Sequence, residues 1–173
     1  MKKILFFAFL FTSFLGNTQT NTDYLKEINR DIWLPFIEAY GTLDMGKYKS
    51  LQSADFIRAE GNDKRLPSFK DYFDNAGNWF SDVKKEGRKL SITFRFSERF
   101  ANGSVASEQG IYELKSFDAS GKEVWKGYGK FHVFLRKIKD VWKIVVDYDS
   151  NEKNTINEQT YQAAYAVDDF EKY

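Results

Sequence analysis

The chain has one histidine, His132, and it lies in a stretch where acidic and basic residues recur at every second position. An imidazole beside a carboxylate is a minimal device for moving a proton near neutral pH. The nearest candidate carboxylate is Asp147. The stretch YGKFHVFLRKIKDVWKIVVDYDS, Tyr128 to Ser150, reads as a hairpin with a two-residue loop at Lys139-Asp140. That register pairs Ile138 with Val141, Leu135 with Ile144, Val133 with Val146 and His132 with Asp147. A second hairpin turning at Asn102-Gly103 sets Phe100 opposite Val105 and Glu108 diagonal to Arg95 and Arg99. A three-residue loop at Asp118–Lys122, with Gly121 left-handed, then places Glu108 opposite His132 and Tyr112 opposite Tyr128. Arg95, Glu108, His132 and Asp147 become one polar row. It reads either as an acid–base site, with Asp147 as base and His132 or Tyr148 assisting, or as cross-strand ion pairing on a solvated or dimer-forming sheet face. Each loop length sets a whole face, because a slip of one residue turns every side chain of a strand over.

The opposite face of the same strands carries Phe94, Ile111, Val133 and Ile144, interrupted by Glu98, Ser107, Gln109, Glu113 and Tyr148. Helical stretches elsewhere supply Trp33, Tyr40 and Trp79. An apolar surface with a few convergent polar groups suits a small-molecule pocket, and the ligand-binding candidates are Trp33, Tyr40, Trp79, Gln109 and Tyr148. The same aromatics at helical spacing also describe an ordinary core.

Composition narrows the chemistry further. There is no cysteine, which excludes disulfides, thiolate metal sites and a thiol nucleophile. One histidine without cysteine does not build the usual zinc sites, and Asp147, Asp149 and Glu152 lack the loop of oxygen ligands that calcium takes. No metal or cofactor is therefore expected. Glycine-rich phosphate loops, GxSxG and HExxH are all missing, and Asn102-Gly103-Ser104 is better explained by the hairpin than by glycosylation. With a formal net charge of +1, no global field favours nucleic acid or an anionic membrane.

The elements that must hold these residues follow from periodicity. Met1-Lys2-Lys3, the apolar run Ile4 to Leu15 and small residues at Gly16 and Thr18 read as a signal peptide over 1–18, too short to span a bilayer and directing export. A linker at 19–22 precedes a domain at 23–150, and a polar tail at 151–173 carries loose helical spacing. Within the domain, Leu25, Ile28, Ile32, Phe36 and Ala39 predict a helix over Asp23–Tyr40, kinked or divided at Pro35. A short helix at Leu43–Leu51, a short strand at Ala54–Ala59 and a helix opened by Ser68 and Asp71 follow. From Lys89 the period becomes two and long strands begin.

Helices followed by a curved antiparallel sheet make an α+β layout. IWLPFIEAYGTLD at Ile32–Asp44, ADFIRAEG at Ala54–Gly61, GIYEL at Gly110–Leu114 and DVWKIVVDYDS at Asp140–Ser150 resemble the NTF2-like superfamily, particularly its DUF4440 and SnoaL-like branches. The resemblance implies a cystatin-like cone in which the sheet wraps the helices and leaves an apolar pocket. It implies no single reaction, since members include isomerases, dehydratases, cyclases and binding modules. The expected function is an exported, non-catalytic domain that binds a small apolar molecule or a protein partner. The alternatives are an isomerase or dehydratase using the Asp147/His132 pair, and a homodimer associating through the sheet face with Tyr112, Tyr128, Phe134 and Val145 as anchors.

Overall fold

Four helical segments lead into the sheet. The computed structural model describes residues 20–173; the expected signal peptide lies outside them. Thr20 opens helix α1 (Asn21–Ile28) with a capping box, its hydroxyl accepting from the Asp23 amide and its own amide donating to the Asp23 carboxylate. α1 passes through one π-helical turn, Asn29–Trp33, into α2 (Leu34–Thr42). The π turn is the local answer to Pro35. Leu34 donates to the Asn29 carbonyl five residues back, and the missing proline donor then falls at the start of α2, where no intrahelical acceptor is required. The widened turn keeps Ile28, Ile32 and Trp33 all buried.

Leu43 in the left-handed conformation ends α2, and Asp44 caps α3 (Met45–Ser50) through the Lys47 amide. Strand β1 (Gln52–Glu60) follows, then α4 (Phe69–Lys85) with Ser68 as its cap. The long strands are β2 (Lys89–Asn102), β3 (Val105–Phe117), β4 (Glu123–Ile138) and β5 (Val141–Ser150). The tail adds α5 (Glu158–Ala163) and a two-residue strand, β6 (Tyr165–Ala166). The sheet order is β1-β5-β4-β3-β2-β6, antiparallel except where β1 joins β5. Helices α1 to α4 fill the concave face, with a core that runs from Leu25 and Trp33 through Phe94, Phe96, Phe131 and Trp142.

Three bulges curve the long strands. Ser97 is unpaired between Phe96↔Gly110 and Glu98↔Gln109. Val124 is unpaired between Phe117↔Glu123 and Ser116↔Trp125. Val145 is unpaired between Leu135↔Ile144 and Phe134↔Val146. These bulges correct the registers expected from loop lengths. Val133, not His132, lies opposite Asp147, and His132 pairs with Tyr148 and Gln109. The β2–β3 turn is Gly103-Ser104 rather than Asn102-Gly103, so Glu108 faces Arg99 and Phe100 faces Ser107. Tyr112 lies opposite Gly129 instead of Tyr128.

Candidate functional site

Past its bulge, β5 turns Asp147 toward the helices and Tyr148 outward. Arg58 on neighbouring β1 reaches across, its alternation with Phe56 placing both side chains inward while Ile57 stays exposed. Arg58 Nη1 donates to Asp147 Oδ2 at 2.7 Å and Nη2 to Asp149 Oδ1 at 2.5 Å. Tyr112 donates to Asp149 Oδ2 at 3.3 Å, and the Tyr48 and Tyr72 hydroxyls share a hydrogen bond of 2.5 Å. Burial disfavours the Arg58 charge, but Asp147, Tyr72 and Asp149 more than offset it, and its pKa is raised. Burial also raises the Asp147 carboxyl, with Asp149 adding to the rise and Arg58 opposing it.

These groups form the charged end of a cavity of about 220 Å³. Its other walls include Trp33, Phe36, Tyr40, Trp79, Phe94 and Phe131. The aromatic rings are mutually braced: Trp33 sits 4.7 Å from Phe94 and 5.3 Å from Phe131 between ring centres, while Phe36 stacks on Tyr40 at 5.2 Å. Burial raises the hydroxyl pKa of Tyr40 and Tyr48 well above the ordinary value and pushes Tyr72 up to about 12, so the cavity tyrosines are neutral donors at physiological pH. Asp147 Oδ1 has no hydrogen-bond partner among the described residues, and Arg58 Nε is buried without one. One acceptor and one donor are therefore unmatched at the charged end.

A second buried charge pair fixes the frame. Arg99 Nε donates to Glu108 Oε1 at 2.7 Å and Trp33 Nε1 to Glu108 Oε2 at 2.6 Å, with both side chains of the ion pair fully buried. The remaining Arg99 donors go to the Val167 carbonyl and to Asn29 Oδ1, both at 2.6 Å, and Asn29 donates to the same carbonyl at 2.9 Å. Each polar atom of this cluster has a partner, and its reach from the π turn to the tail describes a structural clasp.

Of the residues singled out from the sequence, Trp33, Tyr40, Trp79 and Asp147 line the cavity. Gln109, Tyr148 and His132 do not: the alternation of β4 already turns His132 away from Val133 to the convex face, and Gln109 and Tyr148 lie there with it, Gln109 donating to Glu98 at 2.7 Å, Ser107 Oγ lying 2.9 Å from His132 Nε2 and Tyr148 covering Gly61. The row of Arg95, Glu108, His132 and Asp147 is divided between the two faces. Arg95 serves the tail, donating to the Ala164 carbonyl at 2.7 Å, and Asp147 and His132 lie on opposite faces of the sheet. Among the described residues no group of acidic or histidine side chains is arranged to hold a metal ion, and no helix is long and apolar enough to cross a membrane. The sequence pattern does not bring Arg58, Asp149, Tyr48, Tyr72 or Tyr112 to the cavity they line. A signal for Arg58 was available, since a charge two residues from Phe56 in a short strand shares its inward face.

No protein-family model matches the chain, and no curated protein matches it in sequence. Solved structures do. An NTF-2 like protein of unknown function from Shewanella oneidensis superposes with a TM-score of 0.57 at 17% identity, covering 72% of this chain and 97% of that one. A ketosteroid isomerase-like protein from Erwinia carotovora gives 0.51 at 14%, covering 74% and 95%. A protein with a cystatin-like fold from Caulobacter vibrioides gives 0.57 at 7%, covering 81% and 95%. At these identities the likeness is one of architecture and singles out no branch. A sheet coned around N-terminal helices, with an aromatic cavity between the two layers, is an NTF2-like α+β fold, and that is the fold of this chain.

Proposed function

We propose that the chain binds a small, largely apolar molecule in the cavity between α2, α4 and the sheet. The observation that carries this reading is the combination of braced aromatic walls with one unmatched acceptor at the charged end, Asp147 Oδ1. A dry apolar cavity of about 150 Å³ accepts benzene, so about 220 Å³ suits one or two rings with a hydrogen-bond donor set against Asp147. Titration with 2-naphthol, followed by quenching of Trp33 and Trp79 fluorescence, tests it. Leu114→Trp, which fills the cavity wall, should abolish quenching while leaving the melting temperature within a few degrees. Unchanged binding in that variant would place the ligand elsewhere.

A catalytic reading is favoured by one feature, the raised pKa of Asp147 beside its unpartnered oxygen. Such a carboxylate is suited to exchange a proton with a bound apolar substrate, without help from His132. Asp147→Asn separates the two readings, since it should spare naphthol binding and abolish any turnover.

Two further proposals concern where and in what company the protein works. Residues 1–18 act as an export signal, which amino-terminal sequencing of the chain recovered from an exported fraction would test. The convex face carries a row across five strands, Ile57, Val146, Phe134, Ser107 and Phe100, three of whose side chains are exposed large hydrophobics. We propose that this row supports self-association, so Phe134→Lys should shift sedimentation toward monomer. Tyr112 is not an anchor for it, being turned into the cavity.

A further inference from the structure

Beside the cavity, sharing Tyr112 and Leu114 with it, lies a cleft of about 380 Å³ between the start of β4, the turn at Asn62 and the loop after β5. Its polar lining is four asparagines, Asn62, Asn151, Asn154 and Asn157, with Lys126 and the tyrosines Tyr112 and Tyr128, whose hydroxyls donate to Asp149 and Glu113. The protein's own hydrogen bonds fix which end of each amide is occupied. Asn62 Oδ1 accepts from the Asn151 amide at 3.0 Å and from Ser150 Oγ at 2.9 Å. Asn157 Oδ1 accepts from the Thr160 amide and hydroxyl at 3.1 and 3.2 Å. Asn151 Oδ1 accepts from the Asn154 amide at 3.2 Å, which leaves Asn151 Nδ2 to donate to Asn154 Oδ1 at 2.7 Å. Backbone N–H groups, which cannot accept, thus fix the oxygens of Asn62, Asn151 and Asn157, and Asn151 in turn fixes that of Asn154. The amide nitrogens of Asn62, Asn154 and Asn157 are left without an acceptor among the described residues.

The cleft therefore presents donors and no carboxylate. Lys126 is its one charged group; Glu158, which pairs with Lys126 at 3.3 Å, is not part of the lining. Three consecutive left-handed residues, Glu152, Lys153 and Asn154, shape the loop that brings Asn154 there, a conformation non-glycine side chains seldom adopt. The half-exposed ring of Trp125 lies over Gly127 and offers a flat apolar wall beside the donors.

We propose that this cleft is the head-group site for the ligand of the adjoining cavity, selecting an anionic, oxygen-rich head, a carboxylate in the simplest case, on an aromatic or aliphatic body. The inference rests on the cavity-binding reading and adds the charge and position of the head. Acceptor oxygens satisfy the free amide donors and Lys126, while an ammonium head would add donors to a surface already rich in them.

The test uses three probes with one body: 2-naphthylacetate, 2-(2-naphthyl)ethanol and 2-(2-naphthyl)ethylammonium, titrated calorimetrically. The carboxylate should bind about tenfold or more tighter than the ammonium, the worth of one charge-assisted hydrogen bond. Asn62→Asp combined with Asn157→Asp keeps each occupied oxygen and replaces only the free nitrogens. It should erase or reverse that preference, and a melting temperature within a few degrees of the parent shows the variant to be folded. Lys126→Met should weaken the carboxylate alone. Equal binding of carboxylate and ammonium, or a preference that survives the double substitution, overturns the head-group assignment while alcohol binding upholds the cavity. Failure of all three probes to bind refutes the cavity reading and this inference with it.

Discussion

Replacing Arg58 by Met is the most informative single change to the charged end. The guanidinium bridges Asp147 and Asp149, and both Arg58 and Asp147 are nearly buried. Removing one partner of a buried ion pair costs about 3–5 kcal/mol, because the other charge is left uncompensated. For a chain of this size about 1 kcal/mol corresponds to about 2–4 °C in melting temperature, so Arg58→Met should melt about 6–20 °C below the parent near pH 8. The sign of the pH dependence is the stronger test. Burial and Asp149 already raise the Asp147 carboxyl, and Arg58 is the group opposing them. Without Arg58 the folded-state pKa of Asp147 climbs further above its unfolded value of about 3.9. A folded state that holds a proton the unfolded state releases loses stability as pH rises between those two values, and regains it as pH falls. The deficit of the variant should therefore shrink on acidification from pH 8 toward 5, and adding Asp147→Asn should recover most of it at pH 8. Thermal melts of parent, single and double variants across that range provide the measurement. A deficit independent of pH, or one that Asp147→Asn deepens, would refute the claim that an uncompensated Asp147 charge causes it.

Other expectations follow from the same geometry. Arg99→Met leaves Glu108 buried without its cation, and a loss of about 3–5 kcal/mol should appear with faster hydrogen exchange at Tyr165–Val167, since Arg99 holds the Val167 carbonyl. A Cβ at position 129 would lie 2.4 Å from the Tyr112 ring, so Gly129→Ala should swing that ring off Asp149, cost about 1–3 kcal/mol and weaken naphthol binding. His132→Ala removes a side chain from the convex face and should leave naphthol affinity unchanged; a tenfold loss would show that the convex face communicates with the cavity.

Much of the fold was legible because long apolar periodicities speak for themselves. The helices at Asn21–Ile28 and Phe69–Lys85 carry clear stripes, and β2 alternates without a break from Lys89 to Phe96. The turn at Lys139-Asp140 fell where expected, with both residues left-handed, and its register held as far as Leu135↔Ile144. The site was less legible for a specific reason. Alternation reads two strands correctly only while both advance in step, and a bulge adds one residue to one of them. Val145 and its neighbour Val146 are both β-branched and apolar, so nothing in VWKIVVDYD marks which residue stands outside the ladder. On β5 the residues past that point, Asp147 and Tyr148 included, therefore lie on the opposite face from the one the alternation predicts, while those of β4 keep theirs. Trp33, Tyr40 and Trp79 escaped the error because they come from helices.

The bulges also affect how this chain is to be matched with others. Each separates the length of a strand from its pattern of faces, so an extra residue is absorbed locally and the alternation resumes beyond it. A relative that lacks the residue corresponding to Val145 would keep an inward carboxylate at the position of Asp147, yet a gapless alignment would set that carboxylate against Val146. Homologous cavity residues are therefore found by opening gaps at Ser97, Val124 and Val145, inside strands, where insertions are ordinarily forbidden.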